Sequence, residues 1–278
     1  MTDRHFRLEI ADRVARLTLD QPARMNAMSP SFWRELDAIL DTLQREAPAR
    51  ALVLDASGKH FCAGMALEAF GSAIAPDESS AASRANIAPL LAGMQRTFDR
   101  LAELRMPVLA AIQGACIGGG LDLVCTADMR YCTRDAFFCV QEINIGMAAD
   151  LGTLQRLPRL IPEGMARELA YTGRRLPAER ALSLGLVNEV FDDTDAMLAG
   201  VMQIAREIGS KPPVAIWATK QAIDYARDHS VADGLRQMGW LQSGLWDTAA
   251  VAEAIRARAE KREPVFADLA PLRHFTDA

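Results

Sequence analysis

The chain reads as an α/β fold, and three observations predict it. Short strand-like stretches alternate with helix-like stretches through roughly the first two-thirds of the 278 residues. After Asp150 nearly everything reads as helix broken by Pro and Gly. Half the residues are hydrophobic and 24% are charged, enough apolar side chain for a sizeable core. The expected organisation is an α/β core over residues 1–200 and a helical region over 201–278.

The elements follow in order. Phe6 to Ile10 and Val14 to Leu19 alternate apolar and polar residues and read as two strands joined by a turn at Asp12. Pro30 to Leu43 reads as a helix, with Ser29 at the N-cap and Phe32, Leu36, Ile39, Leu40 and Leu43 on one face. Ala51 to Leu54 is a short buried strand, followed by the loop Ser57-Gly58-Lys59 and the turn Phe61-Cys62-Ala63-Gly64. Residues 71–83 are rich in Gly, Ala, Ser and Pro without a period and read as a loop. A long helix is expected from about Ala85 to Leu104, a strand over Val108 to Ile112, and a helix starting near Gly119. Met129 to Thr133, Phe137 to Val140 and Val187 to Phe191 are further strands. Pro212-Pro213 and the stretch from Gly239 to Gly244 are expected interruptions. Glu253 to Arg262 mixes charges as a solvated helix face does, although Lys261 and Arg262 could meet a ligand phosphate.

Composition excludes several classes. A net charge of −5 argues against general nucleic-acid binding, which needs a basic footprint. The five cysteines lack the paired spacing of a zinc site and read as small buried residues in a reducing compartment, so no metal is expected. No apolar run is long enough to span a membrane. The charges at Arg4, Arg7, Asp12 and Arg13 interrupt any signal core, and the last residues carry no peroxisomal or retention tripeptide. A cytoplasmic protein is the expectation.

Three carboxylates stand out because they lie in apolar or glycine-rich sequence: Asp122, Glu142 and Asp150. Each alone reads as a cap or turn residue. Together beside Gly118-Gly119-Gly120 they point to an active site, since an apolar setting raises a carboxyl pKa into the range useful for proton transfer. The segment Val108 to Asp122 reads as strand, glycine turn and helix start, which presents free N–H groups to negative charge. Neither the dinucleotide fingerprint nor the P-loop pattern matches Gly114-x-x-x-Gly118-Gly119-Gly120. The other reading is an oxyanion hole, with the turn Cys62-Ala63-Gly64-Met65 as source of the second donor. No G-x-S-x-G or H-E-x-x-H is present. Of the four histidines only His60 adjoins the site, and it reads as an ordinary loop residue.

Phe61-Cys62-Ala63-Gly64 together with Gly114-Ala115-Cys116-Ile117-Gly118-Gly119-Gly120 resembles the paired signature of the crotonase (enoyl-CoA hydratase/isomerase) superfamily. Pro22-Ala23-Arg24-Met25-Asn26-Ala27 resembles that family's early P-x-x-x-N-A turn, and Thr153 to Leu157 also fits. The likeness covers most of the chain. It implies a crotonase spiral of ββα units over 1–200, holding the active site, and a helical C-terminal trimerisation region over 201–278. The implied assembly is a homotrimer or a hexamer made of two trimers. In this family hydratases carry two acids at the positions of Asp122 and Glu142 and glycine at the position of Asp150. An acid there makes the chain most similar to the Δ3,5-Δ2,4-dienoyl-CoA isomerases. One departure is plain: the family's A-G-x-D turn is Ala63-Gly64-Met65-Ala66 here, which leaves the Met65 N–H in place.

The resemblance implies an acyl-CoA thioester substrate, with coenzyme A as part of the substrate and no separate cofactor. Met65 and Gly119 would donate to the thioester oxygen. Glu142 and Asp150 would move protons at C2 and C6, in either assignment, while Asp122 would orient or tune them or hold a water. Arg24 would contact a CoA phosphate, although it also reads as a surface arginine, and Ala63 and Leu67 would contact the rest of the CoA. The alternative is hydration of a 2-enoyl-CoA by Asp122 and Glu142.

Overall fold

A computed structural model describes residues 4–66, 69 and 80–273. Nine strands are described: β1 (Phe6–Ala11), β2 (Val14–Leu19), β3 (Ala51–Ala56), β4 (Val108–Ile112), β5 (Ala115–Ile117), β6 (Met129–Thr133), β7 (Phe137–Cys139), β8 (Leu176–Pro177) and β9 (Glu189–Phe191). They form a six-stranded sheet in the order β1-β2-β3-β4-β6-β9 and a three-stranded sheet in the order β5-β7-β8. Only β1/β2 in the large sheet and β7/β8 in the small one are antiparallel; the other pairs are parallel.

Successive strands divide between the sheets. β4 joins the large sheet and β5 the small one; β6 and β7 repeat that division, and β8 and β9 repeat it in reverse order. β3 has its counterpart in a single parallel bridge, Cys62 to Cys116, at the edge of β5. This is the repeated two-strand unit that the resemblance implies. The two glycine turns lie on adjacent repeats, one just after the Cys62 bridge and the other just after β5.

The helices are α1 (Pro30–Glu46), α2 (Ala81–Arg84), α3 (Ile87–Ala102), α4 (Gly119–Cys125), α5 (Thr153–Leu160), α6 (Glu163–Thr172), α7 (Ala178–Leu184), α8 (Thr194–Gly209), α9 (Pro213–Asp228), α10 (Val231–Leu245) and α11 (Thr248–Glu260). The central strands are buried on both faces, as parallel strands between helices are. In β3, Leu52 and Leu54 enter the main core with Leu36, Leu40, Phe98 and Leu101. Ala51 and Val53 face the other way, into a smaller core closed by Met197, Val201 and Ala205 of α8.

Several expectations change in detail. β5 and β8 stand where the sequence reads as turn and helix; each is two or three residues long and gains its strand character only from its neighbours. The Gly239 to Gly244 stretch does not interrupt: α10 runs through it, because a single helical glycine costs only about 1 kcal/mol against alanine. Pro212-Pro213 does separate α8 from α9. Of the expected 71–83 loop, residues 81–83 are helical and 71–79 lie outside the described residues. Ser29 occupies the N-cap of α1 without capping it; its hydroxyl meets His5 and Ser31 instead. Arg262 folds back onto Glu253 and Glu260, which fits a solvated helix face better than a phosphate contact.

The C-terminal segment is tied to the core. Buried Arg50 bonds Asp268 at 2.6 Å, the Phe266 carbonyl at 2.6 Å and the Gly209 carbonyl at 3.1 Å. Lys220 of α9 reaches Asp128 at 2.9 Å and the Met106 carbonyl at 3.1 Å. Among the described residues no helix is long and apolar enough to cross a membrane.

Candidate active site

The two glycine turns meet. A Cβ added to Gly64 would lie 2.9 Å from the Ile117 carbonyl and 3.2 Å from the Gly119 nitrogen. One added to Gly120 would lie 2.9 Å from Cys62 Cβ. Both turns therefore need glycine for close approach, and Gly64 (φ +85°) and Gly118 (φ +54°) also need it for backbone conformation. Backbone bonds lock the turns together: Cys62 N–H donates to the Ala115 carbonyl at 3.0 Å, and Ile117 N–H to the Cys62 carbonyl at 3.0 Å.

The first turn is also held from its other side. Met28 N–H donates to the Gly64 carbonyl at 2.9 Å, Ala66 N–H to the Met28 carbonyl at 3.0 Å, and Ala63 N–H to the Met25 carbonyl at 3.0 Å. These bonds explain how the turn keeps its shape with Ala66 in place of the family's aspartate. Asn26 staples the early turn in place: its Oδ1 accepts from Gln21 N–H at 2.8 Å, and its Nδ2 donates to the Ser57 and His60 carbonyls at 3.0 and 2.9 Å. His60 is structural in this setting, its Nδ1 accepting from Ala115 N–H at 3.1 Å. Among the described residues, neither the Met65 nor the Gly119 N–H has a hydrogen-bond partner. Unpaired N–H groups at such a junction suit an oxygen that gains negative charge.

Beside these turns lies a cavity of about 520 Å³. Arg24, Ala63, Met65, Gly119, Glu142 and Asp150 all line it. Leu67 lies outside the described residues. Asp122 does not line it: its side chain is 1% exposed, and its Oδ1 accepts from Thr153 N–H at 2.6 Å. The rest of the wall is mostly apolar, with Leu91 and Met94 from α3 and Ile145, Met147 and Leu151 from the segment around Asp150. An apolar cavity with a few polar groups converging on it is the usual form of a small-molecule site.

Burial raises all three acids. It pushes Glu142 up to about 7, helped by the nearby charges of Asp122 and Asp150 and opposed by backbone hydrogen bonds. It pushes Asp122 up to about 6, against its bonds with Thr153. It raises Asp150 too, against that residue's own backbone N–H. Glu142 also sits against the glycine turn, since a Cβ on Gly118 would lie 3.0 Å from its Oε1. The Asp150 loop is braced from α3, where Gln95 Nε2 donates to the Asp150 carbonyl at 2.6 Å.

Sequence reasoning missed part of the wall. Gln141 and Arg175 line the cavity, and the Arg175 guanidinium lies 4.3 Å from the centre of the Phe137 ring. Arg175 precedes β8, a two-residue strand with no sequence signature, so nothing local placed it at the site.

The comparisons with known proteins agree with this geometry. The family model described as Enoyl-CoA hydratase/isomerase matches residues 9–269. The chain is 40% identical over 253 residues to the mitochondrial Delta(3,5)-Delta(2,4)-dienoyl-CoA isomerase of Homo sapiens, covering 90% of this chain and 77% of that protein. It is 38% identical over 260 residues to the peroxisomal Delta(3,5)-Delta(2,4)-dienoyl-CoA isomerase of Arabidopsis thaliana, covering 92% and 93%. Its fold is similar to the crystal structure of an enoyl-CoA hydratase from Bacillus anthracis, with a TM-score of 0.86 at 30% identity over 95% of this chain and 99% of that one. With the paired glycine turns and the acid-bearing cavity described above, the chain belongs to the enoyl-CoA hydratase/isomerase family and has the crotonase fold.

Proposed function

We propose that this enzyme shifts the double bonds of a 3,5-dienoyl-CoA to give the 2,4-dienoyl-CoA. The observation that carries the reading is that Glu142 and Asp150 line one cavity beside the two glycine turns. The thioester oxygen sits between the Met65 and Gly119 N–H groups. One carboxylate takes a C2 proton, leaving a dienolate whose charge falls on that oxygen and along the chain. The other carboxylic acid returns a proton at C6, and proton exchange between the pair or with water resets the site. Two acids serve because the two carbons lie at opposite ends of a conjugated system. Each oxyanion donor lowers the barrier by roughly 3 kcal/mol.

The isomerase names of two relatives that span most of this chain support the same activity. The hydratase alternative would pair Asp122 with Glu142, and Asp122 is turned into the core toward Thr153 rather than lining the cavity. The CoA portion extends along Arg24 and Ala63, with Leu67 assigned from the family pattern alone. The proton shift itself calls for no metal or redox group. We assign residues 201–278 to trimer assembly, supported by the exposed apolar side chains Ile223, Leu235, Trp240 and Ile255 on α9, α10 and α11. The relatives' names place those proteins in mitochondria and peroxisomes, which differs from the cytoplasmic expectation for this chain.

Ultraviolet spectroscopy tests the reaction. Conversion of a 3,5-diene to a conjugated 2,4-dienoyl thioester raises near-ultraviolet absorbance, whereas hydration of crotonyl-CoA lowers it. Fast hydration with an untouched 3,5-dienoyl-CoA overturns the isomerase reading.

A further inference from the structure

Among the described residues, two buried side-chain oxygens lack hydrogen-bond partners at one place: Asp122 Oδ2 and Thr153 Oγ1. Each residue is 1% exposed. They belong to two residues already in contact, since Thr153 N–H donates to Asp122 Oδ1 at 2.6 Å. A buried carboxylate oxygen left unpaired is costly, and a threonine hydroxyl is a donor whose proton rotates to suit its partner. The two oxygens lie beside each other, with the Cys125 thiol as the other group near the Thr153 hydroxyl, and a small side-chain rotation joins them.

The position of this contact matters. Asp122 lies one turn along α4, the helix whose first N–H is that of Gly119. Thr153 opens α5, three residues after Asp150. The contact therefore ties the helix that carries an oxyanion donor to the loop that carries a proton-transfer acid. The ionisable groups acting on Asp122 are Asp150 and Arg156, and it acts in turn on Glu142 and on the thiols of Cys116 and Cys125. Arg156 is itself paired with Asp99 of α3.

We propose that Thr153 is a positioning residue: its hydroxyl supplies the second hydrogen bond to the Asp122 carboxylate and keeps Asp122 as the anion whose charge Glu142 feels. This rests on the reading of Glu142 as a proton-transfer group. Burial already lifts Asp122 to about 6 and Glu142 to about 7, and Asp122 contributes to the latter. Without the hydroxyl, Asp122 loses a bond to its charged form and protonates at higher pH. Glu142 then loses a neighbouring negative charge and titrates lower.

The experiment compares wild type with Thr153→Val, which keeps the shape and removes the hydroxyl, and Thr153→Ser, which restores it. The pH profile of kcat is measured on 3,5-dienoyl-CoA. The limb belonging to Glu142 should move to lower pH in Thr153→Val, as a neighbouring negative charge is lost. It should return to the wild-type position in Thr153→Ser. Carboxyl 13C NMR titration of the substrate-free protein reads the same shift without any turnover, so failure of the isomerase reading is separable from failure of this one. If Thr153→Val does not fold, Thr153→Ala takes its place. Superimposable titrations of wild type and the hydroxyl-free variant overturn the proposal. So does lost activity with an unmoved Glu142 titration, which would mark Thr153 as merely structural.

Discussion

Glu142 titrates near neutrality because burial and two neighbouring carboxylates disfavour its charge. The sign is clear. Its folded pKa of about 7 lies above the ordinary value of 4.5, so the folded state binds the proton more tightly than the unfolded chain does. The associated stability is fully present below the unfolded value and is lost as pH rises through 7. Glu142→Gln removes this liability and should stabilise the protein above pH 7 by up to about 3 kcal/mol, read from urea unfolding at pH 5 and pH 8. The same substitution should abolish the limb near pH 7 in the rate profile. A variant no more stable at pH 8 than wild type would mean that Glu142 is not held in a costly charged form. Asp150→Asn should lower kcat on 3,5-dienoyl-CoA by about 10²–10⁴-fold, the usual weight of a proton-transfer group. Near-normal turnover would remove Asp150 from the chemistry. All three acids stood out in the sequence because carboxylates are unusual among apolar residues. That Asp122 turns inward while Glu142 and Asp150 line the cavity was not legible, since all three share the same local character.

The glycine turns act at the scale of the element. Gly64 has φ +85°, and any Cβ there would press on the Ile117 carbonyl at 2.9 Å. Gly64→Ala should part the two turns and displace the Met65 N–H. We expect a fall in kcat of about 10²–10³-fold, the cost of losing one oxyanion donor, while circular dichroism stays close to wild type. Unchanged kcat would show that the approach of the turns is not used in catalysis. Strands with strong alternation, such as Val14 to Leu19, and helices with an apolar face, such as Pro30–Glu46, were legible because their periods are local properties. β5 and β8 were not, because so short a strand exists only by pairing. Arg175 and Gln141 were missed with them, as their place in the cavity depends on that pairing.

At the scale of the whole molecule, the C-terminal helices expose apolar side chains. Leu235 and Trp240 of α10 and Ile255 of α11 are exposed. Light scattering should give the mass of three or six chains, and Leu235→Asp combined with Trp240→Asp should shift it toward the single chain. A monomeric wild type would remove trimer assembly from residues 201–278. Part of this architecture followed from the sequence alone: the α/β class, most of the longer elements, the two glycine turns and the three acids. Those are properties of short stretches, set by side-chain period, by the backbone freedom of glycine and by the cost of a carboxylate in apolar surroundings. The tertiary structure decided what lies across from what. It brought Gly64 against Gly119, placed Glu142 and Asp150 on one cavity, sent Asp122 to Thr153 and added Arg175 to the wall. Those outcomes depend on pairing between residues 22 to 56 positions apart, which no local pattern encodes.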